Sequence, residues 1–322
     1  MTDVIIEPKT PGYEAGGVSG LHLPAPVEPF GMWALVWRRF RRHPGAVVGV
    51  ALLSLILLSA LLAGLSPYSP TASNTAERFA PPSLAHPFGT DALGRDLLTR
   101  ILYGGRISLS VGFLVVLITI AIGVPVGSVA GYFGGWVDNL LMRITDAMLA
   151  LPALLVLVLL SAVLREVDLP FFKRNDVLTI ALVIGFLSWM PLARLVRATI
   201  LTFREMDFVR ASESLGASHF RILTRHILPN AIGPVIVEAT LEMGYAIMEE
   251  SGLSFLGFGI QPPVPSWGNL VSGAQEYMLK YPWLALFPGV MIFLTVIAIN
   301  YIGDGLRDAF DPYKILHKIG EV

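Results

Sequence analysis

Six stretches of the chain are apolar over a length that can cross a bilayer, and polar or Pro- and Gly-rich segments separate them. A spanning helix needs about 20 apolar residues at roughly 1.5 Å rise each. The first stretch, 45–65, carries no charge. The second covers 107–130, and the third 140–164, with Arg143 and Asp146 near its start. The fourth covers 177–196. The fifth, 231–253, contains Glu238, Glu242, Glu249 and Glu250, and the sixth covers 282–303. Unbroken apolar runs exclude the alternating pattern of a membrane barrel. Backbone groups in lipid must be satisfied within the segment, so the spans are predicted to be helices. The expected fold is all-α: a polytopic membrane protein with six transmembrane helices.

Composition agrees with a bilayer as solvent. Of 322 residues, 54% are hydrophobic and 15% charged, against roughly 25% charged in soluble domains. Mean hydropathy is +0.66. There is no cysteine, so disulfides, iron–sulfur clusters and thiol nucleophiles are excluded. The six histidines have no metal-ligand spacing, and no metal site is expected.

Residues 1–32 are rich in Pro and Gly and lack an apolar signal-peptide core; they read as a disordered cytoplasmic tail. Residues 33–44, aromatic and basic, read as an amphipathic segment on the inner membrane surface. The membrane domain is expected over 45–312, with a cytoplasmic tail over 313–322. Basic residues concentrate in cytoplasmic segments. Arg38, Arg39, Arg41 and Arg42 before the first span argue for a cytoplasmic N-terminus, and six spans then return the C-terminus to the same side. Arg194, Arg197, Arg204, Arg210, Arg221 and Arg225 fall inside too; with Lys9, Arg143, Arg307, Lys314 and Lys318 the total inside is 15 of the 23 Lys and Arg residues. Arg78, Arg95, Arg100 and Arg106 in the outer loop weaken the asymmetry.

Gly123, Gly127 and Gly131 share one face of the second span and allow close approach by a neighbouring helix. Pro125 predicts a local kink there. Between the fourth and fifth spans the chain reads Arg210, Ala211, Ser212, Glu213, Ser214, Leu215, Gly216, then nine residues, then His226, Ile227, Leu228, Pro229. This segment is too polar to span and too rich in helix formers for a plain loop. Gly216 fits a turn between two short helices, and Pro229 can open the fifth span.

That segment resembles the EAA loop of binding-protein-dependent ABC importers, with Arg210, Ser212 and His226 departing from its pattern. Further motifs resemble the dipeptide/oligopeptide permease family: His86 to Asp96, Ala130 to Gly135 with Asp138, Leu253 to Gly257, Gln261 to Pro263 with Trp267 and Gly268, and Gly303 to Asp308 with Asp311 and Pro312. The chain looks like the second, shorter permease of such a system. The resemblance implies the type I ABC importer permease fold. It implies a second homologous permease, two ATPase subunits and an extracytoplasmic substrate-binding protein as partners, within the cell membrane. The EAA-like loop would be the helix coupling to the ATPases. Family substrates include dipeptides, longer oligopeptides, nickel and some sugars, with peptides favoured.

No cofactor is expected on this chain, because no lysine follows a glycine and a phosphate-cradling loop is therefore excluded. ATP and Mg would be used by the partner subunits. Nothing suggests nucleic-acid binding. A membrane enzyme would need catalytic groups converging at one depth, whereas His226 falls inside and His86 outside. Two readings stay open for Glu238 and Glu242, which share a helix face. Either they line the translocation cavity and meet a peptide amino group, or they pair with Arg194 or Arg197. Glu249 and Glu250 are expected near the outer end, where a charge is less costly. Gly89, Thr90, Asp91, Gly94, Arg95 and Asp96 either shape the outer loop or touch the binding protein. The loop 165–176 has no function legible in the sequence.

Overall fold

A computed structural model of the chain describes residues 32–166 and 176–311. The expected tails and nearly all of the 165–176 loop lie outside the described residues. Helices dominate, and among the described residues the only β-type pairing is one isolated bridge between Thr90 and Asp96.

Helix α1 (Met32–Phe40) buries Val36 and Phe40. It packs on the far end of the chain, where the Trp33 and Phe310 rings meet edge to face with centroids 6.0 Å apart. Helix α2 (Pro44–Leu61) begins with Pro44, whose missing N–H is no loss in the first turn. His43 Nδ1 accepts from the Ala46 amide at 3.1 Å and caps it. Helix α3 (Leu97–Phe133) starts ten residues before the expected second span, with Asp96 as its N-cap. Arg106 on α3 donates to the Ala60 and Leu61 carbonyls at 2.6 and 2.7 Å, satisfying the C-terminal end of α2.

The third expected span is not one straight helix. Helix α4 (Gly135–Leu149) and helix α5 (Ala153–Glu166) are separate, and they bend by 87° across the break. Pro152 sits in the break; it lacks an N–H and disfavours the helical conformation of Leu151 before it. Counting this bent pair as one span gives up to six, beside five helices long and apolar enough by themselves.

Helix α6 (Asp176–Arg204) packs along α3, and the glycine stripe is the reason. A Cβ on Gly127 would stand 2.3 Å from the Ala193 carbonyl oxygen, and one on Gly131 2.8 Å from that of Arg197. Only glycine permits this approach of two backbones. A short helix α7 (Asp207–Ser214) follows. Helix α8 (His219–Phe255) then runs without interruption. Pro229 sits in the first turn of its α-helical part, Leu228–Phe255, which a π-helical stretch over Ile222–Ile227 joins to the residues before it. A π-helical stretch shifts the bonding register, so the missing proline N–H is accommodated without a break.

Helix α9 (Trp267–Ala274) folds back over the bundle, and helix α10 (Trp283–Phe310) returns to α1. A reciprocal capping box between Ser266 and Asn269 starts α9. Trp267 is wholly buried, and its Nε1 donates to the Ile101 carbonyl at 3.0 Å. Beneath it, Glu250 accepts from Ser108 Oγ at 3.1 Å and Ser254 Oγ at 2.7 Å. Glu250, expected near the outer end where a charge is less costly, is thus fully buried beneath α9.

Candidate coupling helix, acidic cavity and outer loop

The sequence-selected residues fall into three separate places. At the end of the bundle shared by α1, α7 stands out from the membrane helices. Its one buried residue is Val209, which clusters with Ile200, Ile222, Ile227 and Tyr132. Arg210, Ala211, Glu213, Ser214 and Leu215 are exposed. Gly216 ends the helix at φ +78°. The amides of Gly216 and Ala217 donate back to the Glu213 and Ser212 carbonyls at 2.9 and 3.1 Å. This is a Schellman termination, in which glycine avoids the Cβ penalty of a left-handed residue. Arg210 approaches Glu205 at 3.4 Å, an exposed pair of little energetic weight. Leu215 (88% exposed) and Phe220 (77% exposed), with the less exposed Phe208, form an uncovered apolar rim. His226, Leu228 and Pro229 belong to α8, not to α7.

The second place is a cavity of about 310 Å³ at the break between α4 and α5. Glu238, Glu242, Tyr245 and Glu249 from α8 line it, opposite Ser188 and Pro191 of α6. Steps of four, three and four residues put these α8 side chains on one helix face. Glu242 is buried and accepts from Ser188. Among the described residues the glutamates make no ion pair with Arg194 or Arg197. Arg194 bonds Asp146, and Arg197 bonds Asp138 through both Nε and Nη2. Those aspartates lie on α4. Glu249 was not singled out as a cavity residue, although its helical spacing from Glu238 carried the signal.

The third place is the loop between α2 and α3. Thr90 Oγ1 accepts from the Ala80 amide at 2.8 Å and donates to the Glu77 carbonyl. Asp96 accepts from the Thr99 amide at 2.7 Å and bonds His86 Nδ1 at 2.9 Å. Asp91 bonds Arg95 Nε at 2.7 Å and Arg100 Nη1 at 3.0 Å. Gly94 has φ +69°, and a Cβ there would lie 1.7 Å from the Asn74 carbonyl oxygen. Gly89, Thr90, Gly94 and Asp96 are buried, so these residues build the loop from within. Among the described residues no group of three or more His, Cys, Asp or Glu side chains is arranged to hold a metal ion.

Comparison with known proteins fits this architecture. Residues 123–315 match the family model described as binding-protein-dependent transport system inner membrane component. Residues 31–82 match the N-terminal TM domain of oligopeptide transport permease C. The chain is 41% identical over 283 residues to the dipeptide transport system permease protein DppC of Alkalihalophilus pseudofirmus, covering 87% of this chain and 90% of that one. It is 42% identical over 279 residues to a putative peptide transport system permease protein of Brucella abortus biovar 1, covering 86% and 91%. Among solved structures, an inward-facing MetNI methionine ABC transporter chain aligns with TM-score 0.52 at 19% identity, covering 65% of this chain and 95% of that one. That likeness establishes the fold, the type I ABC importer permease architecture. The sequence matches reach further: this chain belongs to the binding-protein-dependent transport system inner membrane components, multi-pass permeases rather than enzymes.

Proposed function

We propose that this chain is the second, shorter permease subunit of an ATP-driven peptide importer. The observation that carries the reading is α7. It presents Phe208 and, at its C-terminal end, Leu215 outward, beside the exposed Phe220 at the start of α8, while Val209 anchors it in the cluster of α3, α6 and α8. An uncovered apolar rim beside a basic segment is an interaction surface. Its partner in this reading is the cleft of an ATPase subunit. Two ATPase subunits bind and hydrolyse ATP with Mg, and their closure pushes α7 as a rigid body against the three helices around Val209. The residues Arg210 to Gly216 form the contact, and His226, Leu228 and Pro229 carry the motion into α8.

The end bearing α7 and α1 faces the cytoplasm, together with both termini. Its arginines support this orientation. The opposing arginines of the outer loop are engaged in that loop's own structure: Arg78 donates to the Ala92 carbonyl at 2.7 Å, and Arg106 caps α2. A second permease encloses the pathway with this one. An extracytoplasmic binding protein delivers substrate. Peptide is favoured because the similar proteins named above are peptide and dipeptide permeases; nickel and oligosaccharides are the alternatives. Glu238 and Glu242, with Glu249, line the pathway and receive the peptide amino group.

The test is copurification. The tagged chain is expected to retain both ATPase subunits and the second permease, and Leu215→Asp to lose the ATPases alone. Retention of the ATPases by Leu215→Asp would remove α7 from the coupling role.

A further inference from the structure

We infer that a small cavity between the start of α3, α9 and the start of α10 is a binding subsite for a carboxylate group. The cavity measures about 100 Å³, and its lining includes Asp91, Arg95, Arg100, Pro262, Asn269 and Leu284. Its charged lining residues are two guanidiniums and one carboxylate, leaving one positive charge in excess.

The acceptors already present are used up. Asp91 Oδ1 accepts from the amides of Leu93 and Arg95 at 2.8 and 3.0 Å. Asp91 Oδ2 accepts from Arg95 Nε and Arg100 Nη1 at 2.7 and 3.0 Å. A carboxylate offers about four acceptor positions, so Asp91 has none left. Asn269 is occupied as well: its Oδ1 accepts from the Ser266 amide at 3.0 Å, and its Nδ2 donates to the Ile260 and Val264 carbonyls. Arg100 is only 3% exposed, yet its Nε has no hydrogen-bond partner among the described residues. A buried guanidinium N–H without an acceptor is costly, and a second anion beside it relieves both the orphaned donor and the excess charge.

The cavity has room for a small anion. The planar guanidinium fork suits a carboxylate group geometrically. Two sources carry the same chemistry: a free acid, including a peptide C-terminus, or an acidic side chain of the extracytoplasmic binding protein. The choice of sources rests on the importer reading; the site itself does not.

The experiment uses the purified transporter complex in nanodiscs. Thermal unfolding is followed while acetate replaces chloride at fixed pH and ionic strength. A saturable rise in the wild-type midpoint is expected. Arg95→Gln, which removes the excess charge and leaves the Asp91–Arg100 bond, is expected to abolish it. Arg100→Lys keeps the charge but loses the fork, and should weaken the acetate response at least tenfold. Both variants must unfold cooperatively in chloride to be read. If acetate has no effect on the wild type, capture of ligand-free binding protein by the nanodiscs is compared. A tenfold loss in Arg95→Gln then assigns the carboxylate to the binding protein. An acetate rise equal in all three proteins, or no dependence in either assay, overturns the proposal. Should the importer reading fail instead, ATP-dependent uptake would be missing while the acetate response persisted.

Discussion

Arg197 grips both carboxylate oxygens of Asp138, with the Nη2–Oδ2 bond at 2.6 Å, and so fastens α6 to the first turn of α4. Arg194 makes a parallel bond to Asp146 further along α4. These two pairs decide how the acidic face of α8 is read. The cations that could have neutralised Glu238 and Glu242 are committed elsewhere, so the glutamates face the cavity without a basic partner among the described residues.

Asp138→Asn keeps the shape and removes the charge opposite Arg197. We expect it to lower complex stability by about 1.5–3 kcal/mol, the range for a hydrogen bond to a charged group. Arg197→Lys should fall between wild type and Asp138→Asn, because an ammonium cannot hold both oxygens in a planar fork. Thermal unfolding of the purified complex measures both. Indistinguishable midpoints would mean that the bend between α4 and α5 does not depend on this pair.

Replacing Glu238 and Glu242 together by Gln tests the acidic face. A charge at the bilayer centre costs roughly 2.5–3.5 kcal/mol on insertion scales, so the neutral variant should assemble at least as well as wild type. Initial uptake of a peptide with a free amino group should drop about tenfold or more. An N-acetylated peptide, if carried at all, should lose no further ground. Undiminished uptake in a normally assembled complex would take the glutamates out of the pathway.

Much of this architecture was legible in the sequence, and the exceptions share a physical cause. The glycines at 123, 127 and 131 announced a close helix contact, since their spacing defines a face whatever the partner. Apolar runs located the membrane helices for the same reason: burial in lipid is a local property of a segment. The 87° bend at Pro152 was missed because hydropathy stays high through 140–164 and is blind to a broken helix. The pairing of Arg197 with Asp138 was missed because partners 59 positions apart in the chain are matched only by the fold. Glu250 was misjudged because its burial comes from α9, which returns over it from later in the chain. The outer-loop residues could be recognised as a motif, but only the fold shows them holding one another.

The α3–α6 contact gives a sharp steric prediction. Gly127→Ala sets a methyl group 2.3 Å from a backbone oxygen that cannot turn aside. Overpacking of this kind costs about 1–3 kcal/mol. Gly252→Ala is the matched control, since a Cβ there meets nothing within 4 Å. Size-exclusion profiles of detergent extracts should show much less monodisperse protein for the first variant and a wild-type yield for the second. Equal yields would contradict the described packing of α3 on α6.

For the coupling helix, Leu215→Ala and Phe220→Ala should leave the fold unchanged, because both side chains project into solvent in the isolated chain. Truncating a hot-spot residue at the centre of an interface costs about 2 kcal/mol, near thirtyfold in affinity. ATPase binding to the permease pair in nanodiscs, measured by titration, should weaken accordingly. Wild-type affinity in both variants would point to another surface.

The central claim is that this chain carries peptides across the membrane as part of an importer. It is tested most directly by uptake in a strain lacking the gene, with and without the gene restored. Labelled dipeptide, pentapeptide and nickel are compared side by side. The account predicts uptake of at least one peptide that disappears with the gene and returns with it. Restoration of nickel uptake alone, or of neither peptide, would contradict the peptide assignment.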